Sequence, residues 1–258
     1  MLHPNSLFHW YRERIAGLDR IERDSILCGD FALQQDTDLQ IYYAPHNEFI
    51  HPGARIVIVG ITPGWSQTQR AYQTAKNGIA QQLTDEEICF RCKMDSRFVG
   101  TMRTNLIAML NELGLHTRLG LSSCAELFRP GNDILHTTSL IKYPCFYKGK
   151  NYSGHTPAIG SSEILRKYIR TEFMEELNCL DAVRLLIPLG AAVEGIFRET
   201  GVLSSLHPCA VLWGFPHPSG LNARRTEQFQ TNRESMVNII RNLEFCQRCV
   251  IDDERSVR

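Results

Sequence analysis

The chain has 258 residues, enough for one generous domain or two small ones. Its 28 basic and 28 acidic residues leave no formal net charge, which excludes a protein coated in positive charge but not one with a local basic cleft. No apolar run is long enough to cross a bilayer, so no membrane partner is expected. The opening Met1-Leu2-His3-Pro4-Asn5-Ser6 lacks the basic start and apolar core of a signal peptide. The nine cysteines are odd in number and scattered, which fits reduced thiols in a cytoplasmic protein.

Residues 5 to 28 read as an amphipathic helix, with Leu7, Trp10, Tyr11, Ile15, Leu18 and Ile21 at helical spacing. A short extended piece, Leu39 to Tyr43, follows; residues 1 to about 50 otherwise read as an N-terminal helical extension. Arg55-Ile56-Val57-Ile58-Val59-Gly60-Ile61 is a continuous β-branched run, the mark of a strand buried on both faces. Residues 66 to 82 read as helix, and Thr84-Asp85-Glu86-Glu87 is an N-cap with an acidic first turn for another. A third helix over 100 to 113 carries Met102, Leu106, Met109, Leu110 and Leu113 and stops at Gly114. Asp133 to Ile141 reads as a strand, 143 to 160 as a loop rich in Pro, Gly, Tyr and Lys, and 162 to 178 as helix. Strand Val183 to Ile187, helix 190 to 199, strand Cys209 to Trp213 and a polar helix from about 225 to 243 complete the chain. Strands alternating with helices give a single α/β domain, three layers α/β/α around a central four-stranded parallel sheet. Ligands of such sheets bind outside the carboxyl ends of the strands. Gly60–Trp65, Ser139–Pro144, Pro188–Gly190 and Phe215–Leu221 all fall there.

The segment Phe215-Pro216-His217-Pro218-Ser219-Gly220-Leu221-Asn222-Ala223-Arg224-Arg225 sets a His between two prolines, then a hydroxyl, an aliphatic tip and two cations. The prolines forbid a helix or central strand, so this is a stiff loop. It resembles the His-Pro-Ser-Pro-Leu motif of the uracil-DNA glycosylase superfamily, with Gly220 in place of the second Pro. Gly60-Ile61-Thr62-Pro63-Gly64 resembles that superfamily's first motif. Arg97-Phe98-Val99-Gly100 resembles a Pro-Phe-Val-Gly segment of its iron–sulfur branch. His136-Thr137-Thr138-Ser139-Leu140-Ile141-Lys142 resembles its second-strand segment, with Ser139 where an Asn is usual. The motifs span roughly residues 55 to 243 in the superfamily's order.

The resemblance implies a DNA glycosylase with the uracil-DNA glycosylase-like fold. It would flip a base out of DNA and cleave its N-glycosidic bond. It assigns His217 and Thr62 to catalysis, with His217 as donor to the charge that builds on the leaving base. Ile61, Phe98 and Ser139 would bind the base, Phe98 by stacking. Pro63, Gly64, Ser219, Leu221, Asn222, Arg224 and Arg225 would hold DNA, with Leu221 as the wedge. DNA is the expected partner of a monomer without cofactor. Thr62 and Ile61 stand where relatives carry an acidic or amide residue, so either another residue activates water or base departure dominates; Asp85, Asp95 and Glu48 are spare carboxylates. The short Ser139 implies room for a modified pyrimidine, hypermodified phage cytosine and hence anti-phage defence included, rather than plain uracil. Ordinary uracil excision in repair, a non-catalytic DNA-binding or sensing module, and a nucleotide or nucleoside hydrolase are the alternatives. Cys89-x-x-Cys92 and Cys246-x-x-Cys249 have the spacing of metal-ligand pairs, but the first lies in a helix, where such neighbours arise by chance, and no metal is expected. Tyr147-Lys148-Gly149-Lys150-Asn151-Tyr152 interleaves aromatic and basic side chains, which suits either nucleic acid or solvent.

Overall fold

The computed structural model describes residues 1–36, 38–201, 203 and 209–244. Cys246 and Cys249 lie outside them. The chain opens with α1 (Phe8–Ala16) and a one-turn α2 (Arg23–Ile26). The single helix expected over 5 to 28 is therefore two. Gly17 ends the first, and the second restarts where the Ser25 hydroxyl meets the Glu22 backbone N–H. Phe8, Tyr11 and Ile15 form the buried stripe, whereas Trp10, expected on it, is 69% exposed. The paired strands β1 (Ala32–Gln35) and β2 (Leu39–Tyr42) follow, then β3 (Ile56–Gly60).

Three helices come next: α3 (Trp65–Ala80), α4 (Asp85–Ser96) and α5 (Thr101–Glu112). The Thr84 hydroxyl caps α4 by accepting from Glu87 N–H. A short α6 (Leu115–Arg118) leads to β4 (Leu135–Ser139) and the hairpin β5 (Cys145–Tyr147) and β6 (Lys150–Asn151). The helix read over 162 to 178 is α7 (Glu163–Tyr168), a π-helical turn (Ile169–Phe173) and α8 (Met174–Asn178). The chain closes with β7 (Leu185–Pro188), α9 (Ala191–Glu199), β8 (Ala210–Val211) and α10 (Arg225–Arg241).

The parallel sheet runs β4-β3-β7-β8. Side chains alternate across it, as the period of a strand requires. Val57 and Val59 face a core with residues of α1, α3, α4, α7, α8 and α9, while Ile56 and Ile58 face a second core with α5, α6 and α10. Both faces are thus covered, which is why the β3 run carries no polar alternation.

A second, antiparallel sheet, β1-β2-β5-β6, was not expected. It joins the N-terminal region to the segment read as loop 143 to 160. Its strands are too short to show a period of their own. It also ties the N-terminal region to the rest of the fold. Tyr11 stacks on Tyr43 with ring centroids 3.9 Å apart, and the Tyr72 hydroxyl of α3 donates to the Tyr43 carbonyl at 2.8 Å. The first fifty residues are part of the main core. Among the described residues no helix is long and apolar enough to cross a membrane.

Candidate functional site

The parallel register places Gly60 level with Ser139 and Val59 level with Pro188, so the loops after β3, β4 and β7 leave one edge together. The His217 loop joins them through Gly190, whose N–H donates to the Phe215 carbonyl at 2.9 Å. Gly190 has φ +85°, and a Cβ there would sit 3.2 Å from the His217 Cβ. Only glycine allows that approach without strain. The loop is braced from three sides. Asn105 of α5 donates to the Pro218 carbonyl at 2.9 Å, Asn222 to the His217 carbonyl at 3.2 Å, and Arg225 to the Ser219 carbonyl at 2.9 Å.

Within the loop the Ser219 backbone N–H meets His217 Nδ1 at 3.3 Å. A backbone N–H can only donate, so Nδ1 holds the lone pair and the neutral ring carries its hydrogen on Nε2. Burial lowers the His217 pKa, which favours that neutral form. The imidazole is thus set as an uncharged N–H donor. Four residues on, Leu221 is 96% exposed. A fully exposed Leu on a stiff, braced loop has no packing role in the free protein.

Beside this loop edge, a cavity of about 10 Å³ is lined by His46, Asn47, Gln67, Lys93, Ser96, Arg97, Phe98, Thr137, Thr138 and Ser139. That is room for about one water molecule. Of its lining residues Gln67 is the most exposed, so the mouth is taken to lie on its side. The Gln67 side chain accepts from Gly64 N–H at 3.2 Å, which ties that mouth to the first-motif turn. Phe98 is 5% exposed and has φ +47°, a backbone conformation that a bulky residue rarely adopts. Such strain persists only where the surroundings impose it, and it collects at functional positions.

The sequence-based assignments divide accordingly. Phe98 and Ser139 share the cavity wall. Ile61 does not: it is buried and packs against Gly154, where even a Cβ would come within 2.8 Å of its Cδ1. Pro63 is buried too, so it offers no surface to DNA. The Thr62 hydroxyl donates to the Tyr143 carbonyl at 2.8 Å and accepts from Cys145 N–H at 2.9 Å. It clips the first-motif turn to the β5 hairpin and has no proton left for chemistry. Gly64 lies close to the Asn151 side chain. Ser219 accepts from Leu221 N–H at 3.1 Å, Asn222 and Arg225 brace the loop, and Arg224 stands exposed in an ion pair with Glu227.

The spare carboxylates are engaged elsewhere. Glu48 is buried against Tyr143 and Lys142, Asp85 pairs with Arg12, and Asp95 accepts from Thr74. The roomy pocket expected from a short Ser139 is absent, because Lys93, Arg97 and Phe98 line the space it vacates. Tyr152, read as a candidate base-stacking residue, is buried with its hydroxyl on the Pro157 carbonyl. Cys89 and Cys92 are buried free thiols of α4, pushed well above the usual range by burial. Among the described residues no group of three or more His, Cys, Asp and Glu is placed to hold a metal ion.

Sequence reasoning missed His46, Asn47, Gln67, Lys93 and Arg97. His46 and Asn47 lie in a 3₁₀ turn, Pro45–Asn47, of the N-terminal region, where no motif singles them out. Behind the cavity, Lys93 Nζ donates to the Thr137 carbonyl at 2.9 Å and lies 3.6 Å from Glu176. Glu176 also contacts His136 at 2.8 Å and accepts from the Thr138 hydroxyl. Burial alone would raise the Glu176 pKa, but Lys93 and His136 hold it down to about 2. Burial, followed by the neighbouring Lys93, lowers His46 to about 3 and His136 to about 4. The π-helical turn next to Glu176 widens the helix where Glu172 reaches Lys142.

No family model and no solved structure matches this chain. It is 45% identical over 221 residues to the uncharacterized protein YoxB of Bacillus subtilis (strain 168), an alignment that covers 86% of each chain. With nearly half the residues shared over most of both lengths, this chain belongs to the same family as YoxB.

Proposed function

We propose that this protein is a DNA glycosylase of the uracil-DNA glycosylase type, acting on a base with a small alteration. One observation carries the reading. A braced loop at the carboxyl edge of a parallel sheet presents an uncharged imidazole N–H and, four residues on, a fully exposed Leu. An enzyme that works on a base in a duplex must take it out of the stack and fill the gap it leaves. Leu221 is the wedge for that gap. His217 Nε2–H is the donor for charge that develops on the departing base. Phe98 and Ser139 wall the recess into which the base turns. Arg224, exposed beside the loop, meets a phosphate.

The reaction is N-glycosidic cleavage led by departure of the base, since Thr62 is committed to the backbone and no carboxylate lines the cavity. The cavity is narrow, so bases with bulky substituents are poorer candidates than those with small ones. The walls must part for any base to enter. The same missing carboxylate favours a second reading, a DNA-binding module that senses a base without cleaving it. Abasic-site formation separates the two. Duplexes bearing a panel of altered bases are incubated with the protein, treated with hot alkali and resolved by size, and the released base is identified by mass. Strand cleavage with base release supports the glycosylase. Tight binding with no release from any duplex supports the sensing module.

A further inference from the structure

Arg97 is 2% exposed, yet among the described residues it has no carboxylate partner. Its Nη2 makes one long contact, 3.4 Å, with the Arg129 carbonyl, and its Nε and Nη1 are buried with no hydrogen-bond partner at all. A guanidinium is never deprotonated in ordinary conditions and has donors only. Buried charges are normally paired, because an unpaired one is expensive to desolvate. His46 shares the cavity wall and is in the same position. It is 4% exposed, and both its ring nitrogens are buried without a partner. Lys93, the other cation in that wall, is already matched by Glu176. The cavity wall thus includes a guanidinium that has no carboxylate partner and lies over the Phe128 ring at 5.4 Å, and unmet polar atoms on two of its side chains. A native fold retains such groups where a ligand, an ion or water completes them.

We propose that this cavity is an oxyanion subsite, which receives a small acidic substituent, such as a carboxylate, carried on the altered base. The assignment of that oxyanion to a base rests on the glycosylase reading; the subsite itself follows from the cavity alone. A carboxylate supplies only acceptors, which is what Arg97 lacks. It is also the smallest acidic group a pyrimidine can carry, so it asks the least widening of a recess that now holds about one water molecule. A backbone phosphate is the other source of the same chemistry, but Arg97 and His46 lie too deep for a duplex backbone to reach them. Position 97 is Pro in the motif that this segment resembles, so the cation is a property of this chain.

Calorimetric titration of the full chain tests the proposal, with free uracil-5-carboxylic acid, uracil and inorganic phosphate as separate ligands. The acid should bind at least about tenfold more tightly than uracil, the scale of one charge-assisted hydrogen bond. In Arg97→Met that preference should fall to about twofold or less while uracil binding holds. Arg97→Lys, which keeps the charge, should retain part of it. Equal affinity for acid and uracil, no binding of the acid, or an undiminished preference in Arg97→Met overturns the subsite. Phosphate binding as tight as the acid's shows an oxyanion site that takes no base, which overturns the assignment to a base substituent. Base release from duplexes with uracil or 5-carboxyuracil is measured in parallel. Release without acid preference removes the subsite and leaves the glycosylase. Acid-selective binding without release of any base does the reverse.

Discussion

Acidification should unfold this protein steeply between pH 6.5 and 5, because four histidines are buried in neutral form. Burial is the first cause in each case. It lowers His3 and His136 to about 4 and His46 and His51 to about 3, with Lys142 adding to the effect at His3 and Lys93 at the other three. All four are close to fully buried, so solvent screens little of this. A depressed histidine pKa means that the unfolded chain, titrating near 6.5, binds more protons than the folded one. Stability is therefore complete above pH 6.5 and is lost as pH falls toward the folded values. At pH 5 each histidine is protonated in the unfolded chain and neutral in the folded one, at a cost of about 2 kcal/mol. The four together cost about 8 kcal/mol, against a total domain stability of about 5–15 kcal/mol. Glu176 adds nothing here, since its depressed carboxylate pKa matters only below about pH 4.5. Urea unfolding followed by circular dichroism at pH 7.5, 6.5, 5.5 and 5.0 measures the loss. His46→Leu should lose about 2 kcal/mol less than wild type over that range. A decline of less than about 2 kcal/mol from pH 7.5 to 5 would refute the reasoning.

Replacing His217 with Ala should lower single-turnover base release about 10²–10³-fold while DNA binding is kept, the effect of losing one donor to a developing anion. Leu221→Ala should slow release from a fully paired duplex more than from single-stranded DNA, because only the duplex needs a wedge for the stack. Gly190→Ala should cost about 1–2 kcal/mol in urea unfolding and slow release as well, since it forces a Cβ into positive φ and against His217. Arg225→Gln should reduce release more than Arg224→Gln, because Arg225 holds the Ser219 carbonyl; equal effects would make both simple phosphate contacts.

The parallel sheet was legible chiefly through β3 and β7, which are buried throughout and carry unbroken apolar runs. The second sheet was not. Its β5 and β6 are of three and two residues, and their partner β2 lies about a hundred residues away in the chain. Nothing local marks such a pairing; it exists because Leu39, Gln40 and Ile41 find Tyr147, Phe146 and Cys145 in register. The helix read over 5 to 28 failed for a related reason. The apolar spacing continues past Gly17, yet the chain turns there, and Leu18 and Ile21 pack against the core from irregular structure. Periodicity reports which residues are apolar, not whether the backbone stays helical between them.

At the site, the sequence marked those residues that sit on loops with unusual backbone chemistry: His217 between prolines, Phe98 two residues before a glycine, Ser139 at a strand end. It missed the residues supplied by ordinary elements. Lys93 and Arg97 lie in and just after a helix whose pattern gives no hint that its cations turn inward. His46 and Asn47 come from a short turn with no motif. Thr62 shows the converse. Its place in a recognisable turn invited a catalytic role, while its hydroxyl is consumed by two backbone contacts that hold the turn's shape. The two kinds of error share one cause. A motif shows where the chain bends sharply, and that is often where a ligand meets backbone. Which side chains close the space around the ligand depends on packing between segments distant in sequence. Here that packing gives a tight recess with a buried guanidinium in its wall where a roomier one was expected. On the proposed reading no carboxylate of the cavity wall activates water, so the site would act by stabilising what leaves, through the uncharged imidazole N–H of His217 and the guanidinium of Arg97.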